Sequence, residues 1–104
     1  MRRQAPDDHL LDRAFSVLRA RSDELWARGL LHVAVFGSVA RREDGPDSDI
    51  DLVAEVGPDV DSMDALKAER LLAMELGRQV QIISRRGLDK SRHADILRDM
   101  IPAF

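Results

Sequence analysis

The chain has 104 residues, a formal net charge of -3 and no cysteine, and 44% of its residues are hydrophobic. This size and composition are typical of one globular domain, so we expect a single domain over residues 1–104. The missing cysteines exclude disulfides and thiolate metal sites. The net negative charge argues against a protein that coats nucleic acid, so direct nucleic-acid binding is not expected.

The sequence contains no apolar run as long as a membrane span. The first ten residues, MRRQAPDDHL, lack the apolar stretch of a signal peptide. We therefore expect a cytoplasmic protein with no membrane attachment.

The first part of the chain predicts a helix followed by a buried strand. The helix is expected to start from a cap at Asp7 or Asp8 and to run to about Arg28. The following seven residues, Leu30 to Phe36, are almost continuously apolar, which is typical of a strand covered on both faces. The buried face of the helix is predicted from its apolar spacing: Leu11, Ala14, Phe15, Leu18, Leu25 and Trp26.

The next stretch combines a glycine turn with a strand that carries two carboxylates. Gly37 breaks the first strand, a short helix is predicted from Ser38 to Arg42, and a second strand from Asp49 to Val56. Residues two apart on a strand share a face, so Asp49 and Asp51 are expected to lie side by side. Their repulsion is relieved by a cation, and hard oxygen ligands of this kind suit Mg²⁺ shared with phosphates.

Acidic residues are concentrated around this strand. The segment from Glu43 to Asp64 contains no Lys or Arg. A run of this kind usually indicates a solvated loop. The alternation with apolar residues predicts that part of it is a strand instead, which packs the charges together. The acids are Glu43, Asp44, Asp47, Asp49, Asp51, Glu55, Asp59, Asp61 and Asp64.

The remaining sequence predicts a helix, a third strand and a last helix. The helix is capped by Asp59 or Asp61 and ends near Leu76, with Gly77 as its C-terminal cap. The strand runs from Arg78 to Ser84, and the last helix from Lys90 to Ile101. This order predicts an α/β (α+β) fold in which a small three-stranded mixed sheet is covered by helices.

The residues around the glycine turn resemble a known family signature. It is similar to that of the minimal nucleotidyltransferases (MNT domains), small members of the polymerase-beta-like superfamily. The context of a turn, a strand and a carboxylate pair is met without a gap. The residues that carry the resemblance are Gly37-Ser38, Ala40-Arg41, Glu43 and Pro46-Asp47-Ser48-Asp49-Ile50-Asp51-Leu52.

The resemblance implies a polymerase-beta-like nucleotidyltransferase fold and a metal-dependent reaction with ATP. Gly37 and Ser38 would hold the triphosphate, and Asp49 and Asp51 would hold Mg²⁺. Arg41 is either a further phosphate contact or an ordinary surface residue. Family members commonly pair with a HEPN-domain toxin and modify its tyrosine, which implies an antitoxin that transfers AMP to a partner protein.

One position departs from the family pattern. The third carboxylate usually lies in the next strand, where this sequence reads Val80-Gln81-Ile82-Ile83. Gln81 can contact a cation but cannot act as a base. The alternative is therefore a weakened MNT domain that neutralises its HEPN partner by binding alone. A third class, nucleotide sensing, would show ATP binding without a protein acceptor.

Overall fold

The structure is a computed structural model that describes residues 9–104. Asp7 and Asp8, the predicted caps of the first helix, lie outside these residues. The helix predicted to reach Arg28 is two helices, α1 (Leu10–Ala20) and α2 (Ser22–Ala27). The break falls at Arg21, which is stabilised outside the helix by ion pairs with Glu24 and with Glu75 of a distant helix.

The sheet has four strands rather than the predicted three. They are β1 (Leu30–Phe36), β2 (Ile50–Val56), β3 (Val80–Ser84) and β4 (Ile101–Pro102), in the order β3-β2-β1-β4. β2 is parallel to β3, and β1 is antiparallel to both of its neighbours. The prediction missed β4 because its two residues carry no strand pattern. Pro102 fits an edge strand, since it has no N–H to donate.

The other helices lie in the regions that the sequence predicts, although their bounds differ. A four-residue helix α3 (Gly37–Ala40) joins β1 to the loop before β2, and α4 (Ser62–Leu76) joins β2 to β3. Asp61 caps α4 by accepting a hydrogen bond from the Asp64 amide, and Gly77 ends it at a φ of 68°. A 3₁₀ turn (Arg85–Gly87) follows β3. The last helix, α5 (Ala94–Asp99), is shorter than predicted.

The two faces of the sheet have different surroundings. Residues of α1, α2 and α4 pack with alternate residues of the strands into one apolar core. The prediction that Trp26 belongs to this core is wrong, because its side chain is 62% exposed. None of the helices in residues 9–104 is long and apolar enough to cross a membrane. The strand residues in the core include Val33, Val35, Ile50, Leu52, Ala54 and Val80.

Candidate functional site

The glycine turn and the second strand meet on the sheet face opposite the core formed with α1, α2 and α4, which we call the open face. Phe36 and Asp51 are direct partners in the antiparallel register of β1 and β2, so the turn that begins at Gly37 starts beside Asp51. Gly37 has a φ of +78°, and a Cβ there would lie 2.8 Å from Asp51 Oδ2. The carboxylate therefore packs against bare backbone, and only glycine leaves this space open.

The charge of Asp49 acts on the carboxyl group of Asp51. The pKa of Asp51 is raised above its ordinary value, first by burial of the carboxyl group and second by the charge of Asp49. Asp49 is exposed and directly precedes the first residue of β2. A divalent cation would stabilise the ionised form of Asp51, which burial and the neighbouring charge oppose.

Gln81 lies next to Asp51 on the neighbouring strand. The parallel register pairs Asp51 with Gln81, and residues paired in register share a face of the sheet. The outer edge of β3 is held by Glu69 of α4, which accepts a hydrogen bond from the Ile82 amide at 2.8 Å. In the sheet register, Asp51 thus has Phe36 of β1 on one side and the neutral amide of Gln81 on the other.

The donor set fits a magnesium ion that is shared with phosphates. Within residues 9–104 no group of three His, Asp or Glu side chains is placed to hold a metal by itself. Mg²⁺ commonly takes one or two carboxylates and completes its shell with water and substrate phosphates. Asp49 and Asp51 would supply the carboxylates, and water and substrate phosphates would supply the remaining ligands.

The remaining two predicted nucleotide contacts are differently placed. Ser38 is half-buried in α3, and its carbonyl accepts a hydrogen bond from the Glu43 amide at 2.9 Å. Arg41 pairs with Glu43 at 2.9 Å and with Asp99 of α5 at 2.5 Å. A triphosphate would have to compete with these two carboxylates for the Arg41 guanidinium.

A small cavity lies further along the open face, away from the carboxylates. Its volume is about 90 Å³, far below the roughly 300–1,000 Å³ of small-molecule sites. Glu55, at one side of it, is four strand residues from Asp51, which corresponds to roughly 13 Å. This cavity therefore does not hold a nucleotide. Its lining includes His32, Ala34, Val53, Glu55, Met100 and Phe104.

Two residues near the site were not singled out from the sequence. Asp99 reaches Arg41 across 58 residues of chain, and Arg78 donates a hydrogen bond to the carbonyl of Ser48 across 30 residues. No spacing or motif connects such distant positions. The pairing of β2 with β3 brings Arg78 to Ser48, and the position of α5 brings Asp99 to Arg41.

The fold and this site define a protein of the nucleotidyltransferase class. The family model described as a nucleotidyltransferase domain matches residues 17–102. A solved structure assigned to the minimal nucleotidyltransferases has 36% sequence identity and a TM-score of 0.67, over 85% of this chain and 94% of that one. The chain therefore belongs to the nucleotidyltransferase domain family and, within it, to the minimal nucleotidyltransferases.

More distant structures share the fold. One is a toxin-antitoxin with AMP-PNP, with 16% identity and a TM-score of 0.65 over 82% of this chain and 71% of that one. Another is a tri-AMPylated Shewanella oneidensis HEPN toxin in complex with MNT antitoxin, with 13% identity and a TM-score of 0.65 over 90% of this chain and 71% of that one. No curated protein matches this chain at a significant level.

Proposed function

We propose that this protein transfers AMP from ATP to a tyrosine hydroxyl of a HEPN-domain toxin and so acts as an antitoxin. The observation that carries the proposal is the packing of the Asp51 carboxylate against the bare backbone of Gly37. Asp51 Oδ2 lies 2.8 Å from the position that a Cβ of residue 37 would occupy. This contact brings a carboxylate that could bind a metal directly beside the glycine turn. Two distant structures of the same fold support it, a toxin-antitoxin with AMP-PNP and a tri-AMPylated HEPN toxin in complex with MNT antitoxin.

The reaction forms one bond and breaks one. The acceptor hydroxyl oxygen bonds to the α-phosphorus of ATP, the bond from that phosphorus to the bridging oxygen breaks, and pyrophosphate leaves. Mg²⁺, when bound, would neutralise charge on the phosphates and on the entering and leaving oxygens. Asp49 and Asp51 would hold the metal, and Gly37 and Ser38 would hold the phosphates.

The hydroxyl proton needs an acceptor other than Gln81, since a neutral amide cannot take it. The two aspartates and solvent water are acceptors available beside the proposed metal site. Catalysis in this class is mainly positioning and charge neutralisation, so proton removal need not be assisted by a dedicated base. Transfer should therefore proceed with two carboxylates, at a rate limited by how well they hold the metal.

The proposal is tested by incubating the protein with ATP labelled at the α-phosphate, Mg²⁺ and the HEPN-domain protein encoded beside it. We expect label on the partner, and none when the label is at the γ-phosphate or when EDTA is present. Asp51→Asn should lower transfer by at least two powers of ten, because a metal contributes several kcal/mol to such a transition state. Glu55→Gln, on the same face but farther along β2, is the matched control and should keep the parent rate.

A second function is favoured by Gln81 and by the missing third acid in the part of the chain that the structure describes. The protein would then neutralise its HEPN partner by contact alone. The two functions are separated by the Asp51→Asn variant in a test of toxin neutralisation. If Asp51→Asn protects cells as well as the parent does, and the parent transfers no label to its partner, the enzymatic proposal is wrong and the contact function replaces it.

A further inference from the structure

The residues on both sides of Asp49 form hydrogen bonds with Arg78 and Gln79, the two residues that precede β3. The carbonyl of the residue before it, Ser48, accepts a hydrogen bond from Arg78 Nη1 at 2.9 Å. The amide of the residue after it, Ile50, donates to the carbonyl of Gln79 at 2.9 Å. The backbone on both sides of Asp49 is thus attached to the segment that joins α4 to β3.

The turn before Asp49 is closed by its own bonds and spanned by the same guanidinium. The Gly45 amide donates to Ser48 Oγ at 2.8 Å, and the Ser48 amide donates to the Gly45 carbonyl at 3.2 Å. Arg78 Nη1 also lies 3.5 Å from the Gly45 carbonyl. One half-buried arginine therefore holds both ends of this turn against the start of β3.

Asp49 needs this support more than Asp51 does. Asp51 has ladder partners on both sides, Phe36 and Gln81, so the sheet fixes its position. Asp49 is exposed and precedes β2, outside the ladder. A metal shared by two carboxylates requires both to be held within a fraction of an ångström, and one of the two depends on a loop.

We infer that Arg78 is a positioning residue for the metal site: it fixes Asp49 relative to Asp51 by holding the Gly45–Ser48 turn. This role rests on the proposed metal-dependent transfer. Arginine suits it because the N–H bonds of Nη1 are fixed in the guanidinium plane, whereas the three donors of the lysine ammonium rotate. Arg78 touches neither nucleotide nor metal in this role and acts only through the loop.

A matched control exists elsewhere in the chain. Arg19 Nε donates to the carbonyl of Ala103 at 3.0 Å, which is the same type of bond, formed beside β4 at the edge of the sheet opposite β3. If Arg78 were a structural staple only, Arg78→Met and Arg19→Met should have similar consequences. A positioning role predicts that only Arg78→Met changes the behaviour of the metal.

The experiment measures binding of Mg²⁺ and AMP-PNP by calorimetry, together with the melting temperature, for the parent and for Arg78→Met, Arg78→Lys and Arg19→Met. We expect Arg78→Met to raise the Mg²⁺ concentration for half-saturation by about 10-fold or more, as loss of supporting residues does in metal sites. Arg78→Lys should give an intermediate value and Arg19→Met the parent value. Unchanged half-saturation in Arg78→Met would overturn the inference.

If the parent binds neither Mg²⁺ nor AMP-PNP, the proposed function is wrong. The positioning role of Arg78 is then tested by a second measurement that needs no metal. Backbone ¹⁵N relaxation reports the mobility of individual amides. Arg78→Met should make the Asp49 amide mobile and leave the Asp51 amide as rigid as in the parent. Equal rigidity of Asp49 in both proteins would refute the positioning role.

Discussion

The two faces of strand β2 are stabilised by opposite means. On one face Ile50, Leu52 and Ala54 are fully buried against helices. On the other face the neighbouring residue Asp51 is half-buried, and its ionised form is opposed by burial and by Asp49. Because side chains alternate along a strand, the seven residues of β2 form both faces. Burial of the apolar face therefore stabilises the strand that carries the destabilising charge.

Residues next to each other on β2 should therefore respond to substitution in opposite directions. On the helix-covered face, removal of a side chain leaves a cavity. On the open face, removal of a charge relieves a cost. The four predictions below test the contrast, from the largest expected change in the free energy of unfolding to the smallest.

Leu52→Ala should lower the free energy of unfolding by about 2–5 kcal/mol, because it opens a cavity beneath a side chain that is 0% exposed. Urea denaturation measures this loss. The folded fraction should bind Mg²⁺ and nucleotide as the parent does, since Asp51 points to the other face. A loss below about 1 kcal/mol would show that this face is not the main core.

Gly37→Ala should lower the free energy of unfolding by about 1–3 kcal/mol, because it forces a side chain into a positive φ. Its Cβ would also displace the Asp51 carboxylate, so calorimetry should show weaker binding of Mg²⁺ and nucleotide. The matched control is Gly87→Ala, where a Cβ would meet no described atom within 4 Å. Equal effects of the two substitutions would contradict the contact between Gly37 and Asp51.

Gln81→Asp places a third carboxylate beside Asp51. In metal-free buffer it should lower the free energy of unfolding by about 0.2–1 kcal/mol, because like charges on neighbouring strands repel. With Mg²⁺ the Gln81→Asp variant should become more stable than the parent, and its metal affinity and AMP transfer should increase. Gln81→Ala should change little. Gln81→Asn, which keeps the amide, is the control. If Gln81→Asp lowers transfer and Gln81→Ala abolishes it, the amide is a working part of the site.

Asp51→Asn should change stability least, and its sign depends on pH. The folded protein raises the pKa of Asp51 above the ordinary 3.8, so the folded state binds this proton more tightly than the unfolded chain. Ionisation therefore removes stability as the pH rises from about 3.8 through the raised pKa. The variant should be slightly more stable than the parent at neutral pH without metal, and equal to it below that window.

Thermal melts from pH 3 to 8 measure this difference. Addition of Mg²⁺ and AMP-PNP should stabilise the parent and leave the variant unchanged, because binding to the folded state raises stability by mass action. A parent that is more stable than Asp51→Asn at neutral pH without metal would show that the carboxylate has a stabilising partner on the open face.

Short-range patterns in the sequence determined most of the fold. The apolar run from Leu30 to Phe36 is β1 residue for residue, and Asp61 and Gly77 cap α4 as predicted. Gly37 has the positive φ that a strand-breaking glycine allows. These features depend on neighbours within a few residues, where hydrogen-bond geometry and side-chain period are decided by local chemistry.

The tertiary structure alone decided what surrounds the carboxylates. The pairing of Ile101 and Pro102 with β1, the ion pair of Arg41 with Asp99 and the bond from Arg78 to Ser48 all join distant parts of the chain. No local pattern encodes such contacts, because each depends on where the sheet order places two segments. The sequence by itself therefore determined which side chains could form the site, and packing decided which of them are held in place and which are already paired.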